Sequence, residues 1–314
     1  ALAAGAVLFV FLFVFSEQFT AGFNVGLKNC GEIIIPALFP FLIASSLTGA
    51  GRLPNKIKKT VAPVTNRLFS LPPECLPAII LSQFGGYLSG AKSAESLYSS
   101  GVISRSQARK LMLFCITSGM GFSVNAIGYG LLNSRESGKL ILFSLALSAV
   151  ILGFFIRFLP EEKSDFSKSK PTFVPLSEAV VNSVSAASQT MLASCGFVCV
   201  FSGFSSITNC IINNETLRMI LSCILEVTNG CVSVAGKVSL PVIAAICAFG
   251  GICIHIQIFA VCKSFGIKIP VFYLFRILHS VLAFAVCKAI LYFHPIEQQT
   301  FVSVSSDIRV WSFS

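Results

Sequence analysis

The sequence predicts an all-α polytopic membrane protein. The chain has 314 residues, of which 54% are hydrophobic and only 11% are charged, a balance far more apolar than that of an ordinary globular protein. Two of its apolar runs, residues 84–92 (FGGYLSGAK) and 247–257 (CAFGGICIHIQ), contain consecutive glycines and polar side chains. Because unpaired backbone groups are costly in hydrocarbon, such breaks are expected only where the backbone is buried in protein or lines a watery cavity.

Apolar segments long enough to span or enter a bilayer follow one another along the chain. They lie at residues 1–15, 30–51, 76–91, 109–132, 138–159, 179–207, 217–235, 239–262 and 271–293. We interpret about seven as spanning helices and two, 76–91 and 217–235, as re-entrant hairpins. The first could instead be the core of a signal peptide, but no small-residue cleavage site follows it, so we interpret it as a helix.

Basic residues account for the net charge of +10 and are grouped in loops rather than in one patch. The three groups are Arg52, Lys56, Lys58, Lys59 and Arg67; Arg105, Arg109 and Lys110; and Lys163, Lys168 and Lys170. This distribution favours the positive-inside bias over nucleic-acid binding and predicts that these loops are cytoplasmic.

Twelve cysteines lie almost entirely within apolar segments, so we interpret them as small core residues. Cys195 and Cys199 are one helical turn apart, but no histidine or carboxylate accompanies them. The sequence therefore predicts no metal site.

A polar stretch near the middle divides the chain into two halves. The predicted organisation is an N-terminal helix (1–23), a first repeat (24–160), a cytoplasmic linker (161–176), a second repeat (177–294) and a C-terminal tail (295–314). The positive-inside rule orients the halves oppositely, which predicts an inverted-topology repeat. Pairing the elements in order sets Gly119 opposite Gly251 and Asn125 opposite Gln257, whereas aligning the two Phe-Gly-Gly breaks violates the element order.

Lys92 and Glu226 are the charged candidates for a substrate site. Lys92 follows a glycine-rich break, where free backbone amides and a helix start can form an anion-binding concavity. Alternatively it snorkels to the membrane edge near Glu95. Glu226 lies in an apolar segment just before an Asn-Gly pair, so it should meet a cation, a proton or Lys92, or form a structural salt bridge.

His255 and Gln257 follow the second glycine pair and can hydrogen-bond a substrate if the helix is unwound there. The alternative for His255 is a core histidine bonded to a backbone carbonyl. Arg276 and His279 share a helix face, and we assign them to structure. The full predicted substrate site is Gly85, Gly86, Ser89, Gly90, Lys92, Thr117, Ser118, Asn125, Glu226, Thr228, Asn229, Gly250, Gly251, His255 and Gln257.

Motifs of the common catalytic classes are missing from the sequence. It contains no zinc-protease motif, no nucleotide-binding loop and no Ser/His/Asp set in a recognisable context. We therefore expect neither an enzyme nor a cofactor.

Four motifs together resemble a known family. They are residues 35–41 (IPALFPF), 86–92 (GYLSGAK), 225–230 (LEVTNG) and 249–257 (FGGICIHIQ). From about residue 24 to 293, the chain resembles the sporulation integral membrane proteins of the YlbJ type, which belong with the nucleoside-recognition, or Gate, domain proteins. Two departures are Leu88, where the family usually has proline, and residues 115–120 (CITSGM), which lack an expected Asn- and Pro-containing motif.

The resemblance implies two inverted Gate-type repeats, a role in endospore formation and passage of dipicolinic acid through the outer forespore membrane. The expected partners are then a small organic anion such as dipicolinate and the lipid bilayer, with no nucleic acid. A homo-oligomer is compatible with this hypothesis, and the coupling ion, H⁺ or Na⁺, stays open. A non-transporting sporulation scaffold and a nucleoside carrier are the alternatives.

Overall fold

The computed structural model describes residues 10–48, 53–159 and 175–295, and within these ranges the regular structure is entirely helical. Some of the helices are long and apolar enough to cross a membrane. They are Ser16–Leu47, Arg135–Ile156, Leu176–Ile211, Leu240–Val261 and Ile269–Phe293. The predicted all-α polytopic fold is confirmed.

The described residues contain five such helices, whereas the sequence predicts about seven spans. The difference has two sources. Most of the predicted segment 1–15 lies outside the described residues, as do most of the linker 161–176 and nearly all of the tail 295–314. The predicted span 109–132 is not one helix, because residues 115–119 are non-helical. The predicted boundary between residues 23 and 24 falls inside the continuous helix Ser16–Leu47.

The first half begins with a long helix that contains a π-helical turn. Its parts are α1 (Ser16–Asn29), the π-helical turn (Cys30–Ile34) and α2 (Ile35–Leu47). The π-helical turn lies just before Pro36 and Pro40, residues that cannot donate the backbone hydrogen bonds of a regular helix.

Shorter helices complete the first half. They are α3 (Asn55–Phe69), a 3₁₀ turn (Pro73–Cys75), α4 (Leu76–Gly85), α5 (Tyr87–Ser99), α6 (Arg105–Phe114), a π-helical segment (Gly121–Leu131) and α7 (Arg135–Ile156). A capping box fixes the start of α6. The Ser104 hydroxyl accepts a hydrogen bond from the Gln107 amide, and the Gln107 side chain accepts one from the Ser104 amide.

The second half repeats the order of a long helix, a hairpin, a broken helix and a long helix. Its elements are α8 (Leu176–Ile211), α9 (Glu215–Leu225), α10 (Val227–Val234), α11 (Leu240–Phe249), α12 (Gly251–Val261) and α13 (Ile269–Phe293). The α4–α5 and α9–α10 pairs occupy the positions of the predicted re-entrant hairpins. The inverted relation between the halves stays a prediction.

Contacts between the halves form on both sides of the bundle, where α1 and α2 pack against α8, and α7 packs against α13. The main hydrophobic core draws on both halves. Most of the cysteines are buried in the core as free thiols, which agrees with the interpretation of them as small core residues. Within the described ranges, no group of side chains has the make-up of a metal site.

Candidate functional site

The first glycine break is a close crossing of two backbones. Gly86 joins α4 to α5 with a φ of 83°, in the left-handed region that favours glycine. It packs on the non-helical residues 115–119, so closely that a Cβ at Gly119 would lie 2.5 Å from the Gly86 nitrogen and from the Phe84 oxygen. Gly90, one turn further on, packs against the Cys115 carbonyl. Only glycine fits at this crossing.

The second break has the same character. Gly250 and Gly251, with φ values of 88° and 80°, separate α11 from α12. A Cβ at Gly251 would lie 3.3 Å from the Val227 nitrogen and 3.4 Å from the Glu226 Cα, so this break packs on the turn of the α9–α10 hairpin. In each half, a broken helix therefore meets a hairpin turn, and the predicted helix interruptions are confirmed.

Tyr87 connects the two breaks, and Arg276 ties the last described helix to the end of α6. The Tyr87 hydroxyl donates a 2.5 Å hydrogen bond to the Cys247 carbonyl, and a Cβ on Gly250 would lie 3.1 Å from the Tyr87 ring. Arg276, on α13, is fully buried and donates to the carbonyls of Leu113 (2.8 Å) and Ile116, at the end of α6 and in the break beyond it. Its positive charge faces the negative end of the α6 dipole.

His279 lies beside Arg276, with 3.4 Å between its Nδ1 and the Arg276 Nη1. Its Nε2 lies 3.3 Å from the Leu145 carbonyl, on α7. Both side chains therefore contact carbonyls of the first half, which agrees with assigning them to structure. Sequence reasoning did not assign the cap that Arg276 forms on the broken helix.

Glu226 has its carboxylate satisfied by backbone amides. The residue is 2% exposed and caps α10, accepting hydrogen bonds from the Thr228 amide (3.0 Å) and the Asn229 amide (2.8 Å). The Asn229 side chain in turn donates to the Ser202 hydroxyl on α8 (3.1 Å). Among the described residues Glu226 forms no salt bridge, with Lys92 or with any other cation.

His255 occupies the position that the core-histidine alternative predicts. It is fully buried, and its Nε2 lies 2.7 Å from the carbonyl of Phe249, the last residue of α11. The rings of Phe249, Phe272 and Tyr273 contact it edge to face, with centroids 5.0–5.2 Å away. This packing places His255 behind the second break and outside the cavities described next.

Two polar cavities lie end to end along α8 and share Lys92 and Glu95. The inner one has a volume of about 290 Å³ and is lined by polar and aromatic side chains of α5, α8 and α12. These include Lys92, Gln189, Thr190, Ser194, Phe197 and Gln257. The outer one, of about 490 Å³, extends towards the start of α8 and the end of α5 and includes Ser46, Ser99, Asn182 and Ser183.

The two cavities together follow α8 from Ala179 to Phe197. At the rise of an α-helix this is about 27 Å, close to the thickness of the hydrocarbon core. The outer end lies near the loops predicted to be cytoplasmic. The cavities therefore form a polar path beside a spanning helix, with Lys92 and Glu95 where they meet.

Lys92 is a cation in this path, and no described residue forms a salt bridge with it. It is partly buried and forms no salt bridge or hydrogen bond with a described residue. Glu95, one turn further on, accepts hydrogen bonds of 2.5 Å from the hydroxyls of Ser99 and Ser264 instead. An ammonium group without a salt bridge, in a cavity with a polar lining, attracts an anion.

Gln257 adds an amide to the inner cavity. It is 3% exposed, and its Nε2 donates to the Cys253 thiol at 3.2 Å. Its Oε1 is buried and has no hydrogen-bond partner among the described residues. Since a buried polar atom without a partner is costly, this amide is available to a ligand.

The remaining predicted residues lie outside both cavities. Asn125 is exposed on the π-helical segment, and Thr117 and Ser118 are fully buried beside the first break. The Ser118 hydroxyl lies 2.6 Å from that of Ser123, and Ser89 donates to the Gly85 carbonyl at 3.1 Å. The structure therefore brings together Lys92 and Gln257 at the inner cavity but not the whole predicted set.

The polar face of α8 is the part of the path that sequence reasoning missed. Most of the α8 residues that line the cavities are small or polar and recur at helical spacing. They are Asn182, Ala186, Gln189, Thr190, Ala193 and Ser194. This periodicity inside a spanning segment is the signal that could have indicated them.

Comparison with curated proteins finds a relative along most of the chain. The chain is 23% identical to the sporulation integral membrane protein YlbJ of Bacillus subtilis (strain 168), over 83% of this chain and 74% of the relative. The resemblance to the YlbJ type is confirmed. With the spanning helices, this relative also shows that the chain is an integral membrane protein. No family model matches, and neither does any solved structure, so the Gate-domain assignment stays a prediction.

Proposed function

We propose that this protein carries a small organic anion, dipicolinic acid, across the outer forespore membrane during sporulation. The YlbJ relative, a sporulation integral membrane protein, supports a sporulation role in a membrane. The transport hypothesis depends on the position of Lys92. This cation forms no salt bridge with a described residue and lies where two polar cavities meet along a spanning helix.

The chemistry of the inner cavity suits an aromatic dicarboxylate. One carboxylate meets the Lys92 ammonium group, and the amides of Gln189 and Gln257 are placed to hydrogen-bond the ligand's polar edge. Phe197 offers an aromatic face to the ring. These contacts are proposed from the residues that line the cavity.

The glycine breaks supply the hinges that a carrier needs. Helix α5 starts at the Gly86 break and α12 at the Gly250–Gly251 break, and both helices line the inner cavity. Half-helices joined by glycine can tilt without bending a continuous hydrogen-bond ladder. We propose that such tilting exposes Lys92 to one side of the membrane at a time, with H⁺ or Na⁺ as the coupling ion.

A non-transporting scaffold is the second candidate. The internal hydrogen bonds of Glu226, His255 and Arg276 favour it, because each of these three side chains forms at least one hydrogen bond within the bundle. In this hypothesis the breaks exist to pack the helices, and the cavity at Lys92 has no substrate.

Ligand-dependent thermal unfolding of the purified chain tests the transport proposal. A ligand that binds only the folded protein at a hundred times its Kd stabilises it by about 2.7 kcal/mol. We expect dipicolinate to raise the unfolding midpoint of the wild type but not of Lys92→Ala. The matched control is Lys139→Ala, which removes an exposed lysine paired with Glu136 and should keep the shift.

The same variants separate the alternatives in spores. At equal membrane levels, Lys92→Ala should lower dipicolinate accumulation. Normal accumulation in Lys92→Ala spores, together with no dipicolinate shift in the wild type, would support the scaffold. A thermal shift with uridine in place of dipicolinate would support a nucleoside carrier.

A further inference from the structure

Helix α3 (Asn55–Phe69) forms where the sequence suggested only a basic loop. It has basic residues but no acidic ones: Lys56, Lys58, Lys59 and Arg67. Its residues divide among three faces, one towards the protein, one apolar and exposed, and one basic and exposed.

The protein face fixes α3 to the bundle. Thr65 and Phe69 are buried, and the Phe69 ring stacks on Phe114, with centroids 5.1 Å apart. The same ring lies against Gly153, near the C-terminal end of α7. Lys58 forms a 2.7 Å salt bridge with Glu74, in the turn that leads to α4. Helix α3 is therefore held at one end of a spanning helix.

The end of α7 marks the depth at which α3 lies. Its last turn and the residues beyond expose Phe154, Phe155 and Phe158, which are 38%, 58% and 69% exposed. Arg157 lies between them, with its guanidinium 5.4 Å from the Phe154 and Phe158 rings, and it donates to the Arg67 carbonyl on α3. Aromatic rings with an arginine at the end of a span belong at the edge of the hydrocarbon core.

The two exposed faces of α3 match that position. Ile57 and Val64 are 45% and 48% exposed and lie two turns apart on the same side. Lys56, Lys59 and Arg67 are exposed and project about a quarter-turn or more further round the helix, at 100° per residue. An apolar stripe flanked by basic residues is the pattern of a helix that lies in the membrane interface.

We propose that α3 lies in the interface of the basic, predicted cytoplasmic side and binds the phosphate groups of anionic phospholipids through Lys56, Lys59 and Arg67. Ile57 and Val64 enter the acyl region, and the three cations remain at the level of the headgroups. A basic residue near an anionic membrane surface contributes about fivefold to binding, so removing all three should weaken it by about a hundredfold.

Thermal unfolding of the full chain in phosphatidylcholine nanodiscs tests this proposal, with phosphatidylglycerol added stepwise. The wild type should gain stability, and the Lys56→Gln, Lys59→Gln, Arg67→Gln variant should lose most of that gain. The matched control also removes three positive charges, through Arg135→Gln, Lys139→Gln and Lys237→Gln, and should keep the gain. An equal gain in both variants would overturn the proposal, and so would the same gain from inorganic phosphate without anionic lipid.

A depth measurement provides a second, independent readout. The chain has a single tryptophan, Trp311, so Ile57→Trp in a Trp311→Phe background reports on one position. Lipids brominated near the top of the acyl chain should quench this fluorescence, whereas Asn66→Trp, on the polar side of α3, should stay unquenched. Quenching absent at position 57 would overturn the proposal.

Discussion

The Tyr87 hydroxyl donates a hydrogen bond of 2.5 Å to the Cys247 carbonyl, 160 residues away in the chain. It joins the first turn of α5, after the Gly86 break, to the last turn of α11, before the Gly250 break. A side chain from the first half thus binds a backbone group of the second half, close to the point where the helix of that half is interrupted. The two breaks form one connected unit.

Tyr87→Phe should destabilise the protein by about 1–2 kcal/mol, because the buried Cys247 carbonyl loses a hydrogen bond from a side chain while the packing of the ring is kept. The measurement is the thermal unfolding midpoint in detergent. Tyr98→Phe is the matched control, since the Tyr98 ring packs on Phe265 and its hydroxyl has no hydrogen bond to a described residue. Equal midpoints for the two variants would contradict the role given to the Tyr87 hydroxyl.

Gly119→Ala should reduce the yield of folded protein sharply. The new methyl group would lie 2.5 Å from backbone atoms of Phe84 and Gly86, which cannot move aside as a flexible side chain could, and overpacking of this kind costs about 1–3 kcal/mol or more. Gly196→Ala, on α8, has nothing within 4 Å of the new Cβ and should be neutral or stabilising. Size-exclusion chromatography of detergent extracts compares the two, and a normal monodisperse peak for Gly119→Ala would refute the close crossing.

Arg276→Leu should destabilise the fold by about 3 kcal/mol, since it leaves the carbonyls of Leu113 and Ile116 without their charged donor. Arg276→Lys keeps the charge but has a single donor group, so it should recover only part of the loss. Lys288→Leu removes an exposed cation from the same helix and should have little effect. The cap of Arg276 on α6 is supported if the unfolding midpoint is lowest for Arg276→Leu, intermediate for Arg276→Lys and near that of the wild type for Lys288→Leu. An unchanged midpoint for Arg276→Leu would exclude it.

Gln257 and His255 should separate binding from stability. Gln257→Leu removes the amide whose Oε1 has no partner among the described residues, so it should weaken dipicolinate binding about tenfold with a small change in unfolding midpoint. His255→Leu should lower the midpoint by removing the hydrogen bond at the end of α11, while binding stays near that of the wild type. Calorimetry measures the dipicolinate affinity of both variants, and thermal unfolding measures their midpoints. Weaker binding by His255→Leu with an unchanged midpoint would place His255 at the substrate.

The helix interruptions could be predicted because their cause is local. Paired glycines within apolar sequence cannot continue a helix cheaply, and the chain breaks at Gly86 and at Gly250–Gly251. The lengths of the apolar runs also predicted the positions of the five long helices. Most of the predicted helix ends lie within a few residues of the observed ones. The buried Arg276–His279 pair followed from helical spacing alone.

The composition of the site could not be predicted because it depends on how helices turn and which faces meet. Residue counting placed Asn125 opposite Gln257, but the segment Gly121–Leu131 winds as a π-helix, whose wider turn changes which side chains point inward. The sequence predicts that Glu226 meets a cation, a proton or Lys92, or forms a salt bridge, whereas in the structure the start of α10 supplies two amides. The charges of the stretch 52–67 predict a loop, whereas residues Asn55–Phe69 form a helix. The apolar residues at helical spacing are Ile57, Val61, Val64 and Leu68.

Arg276, which completes the end of α6, lies on α13, so the ribosome delivers it 163 residues after Leu113. In a nascent chain that is inserted only as far as α12, the Leu113 and Ile116 carbonyls lack the Arg276 donor, and little water is available in the membrane to replace it. The end of α6 therefore reaches its final state only when α13 arrives, and the N-terminal half released alone should be a target for membrane quality control.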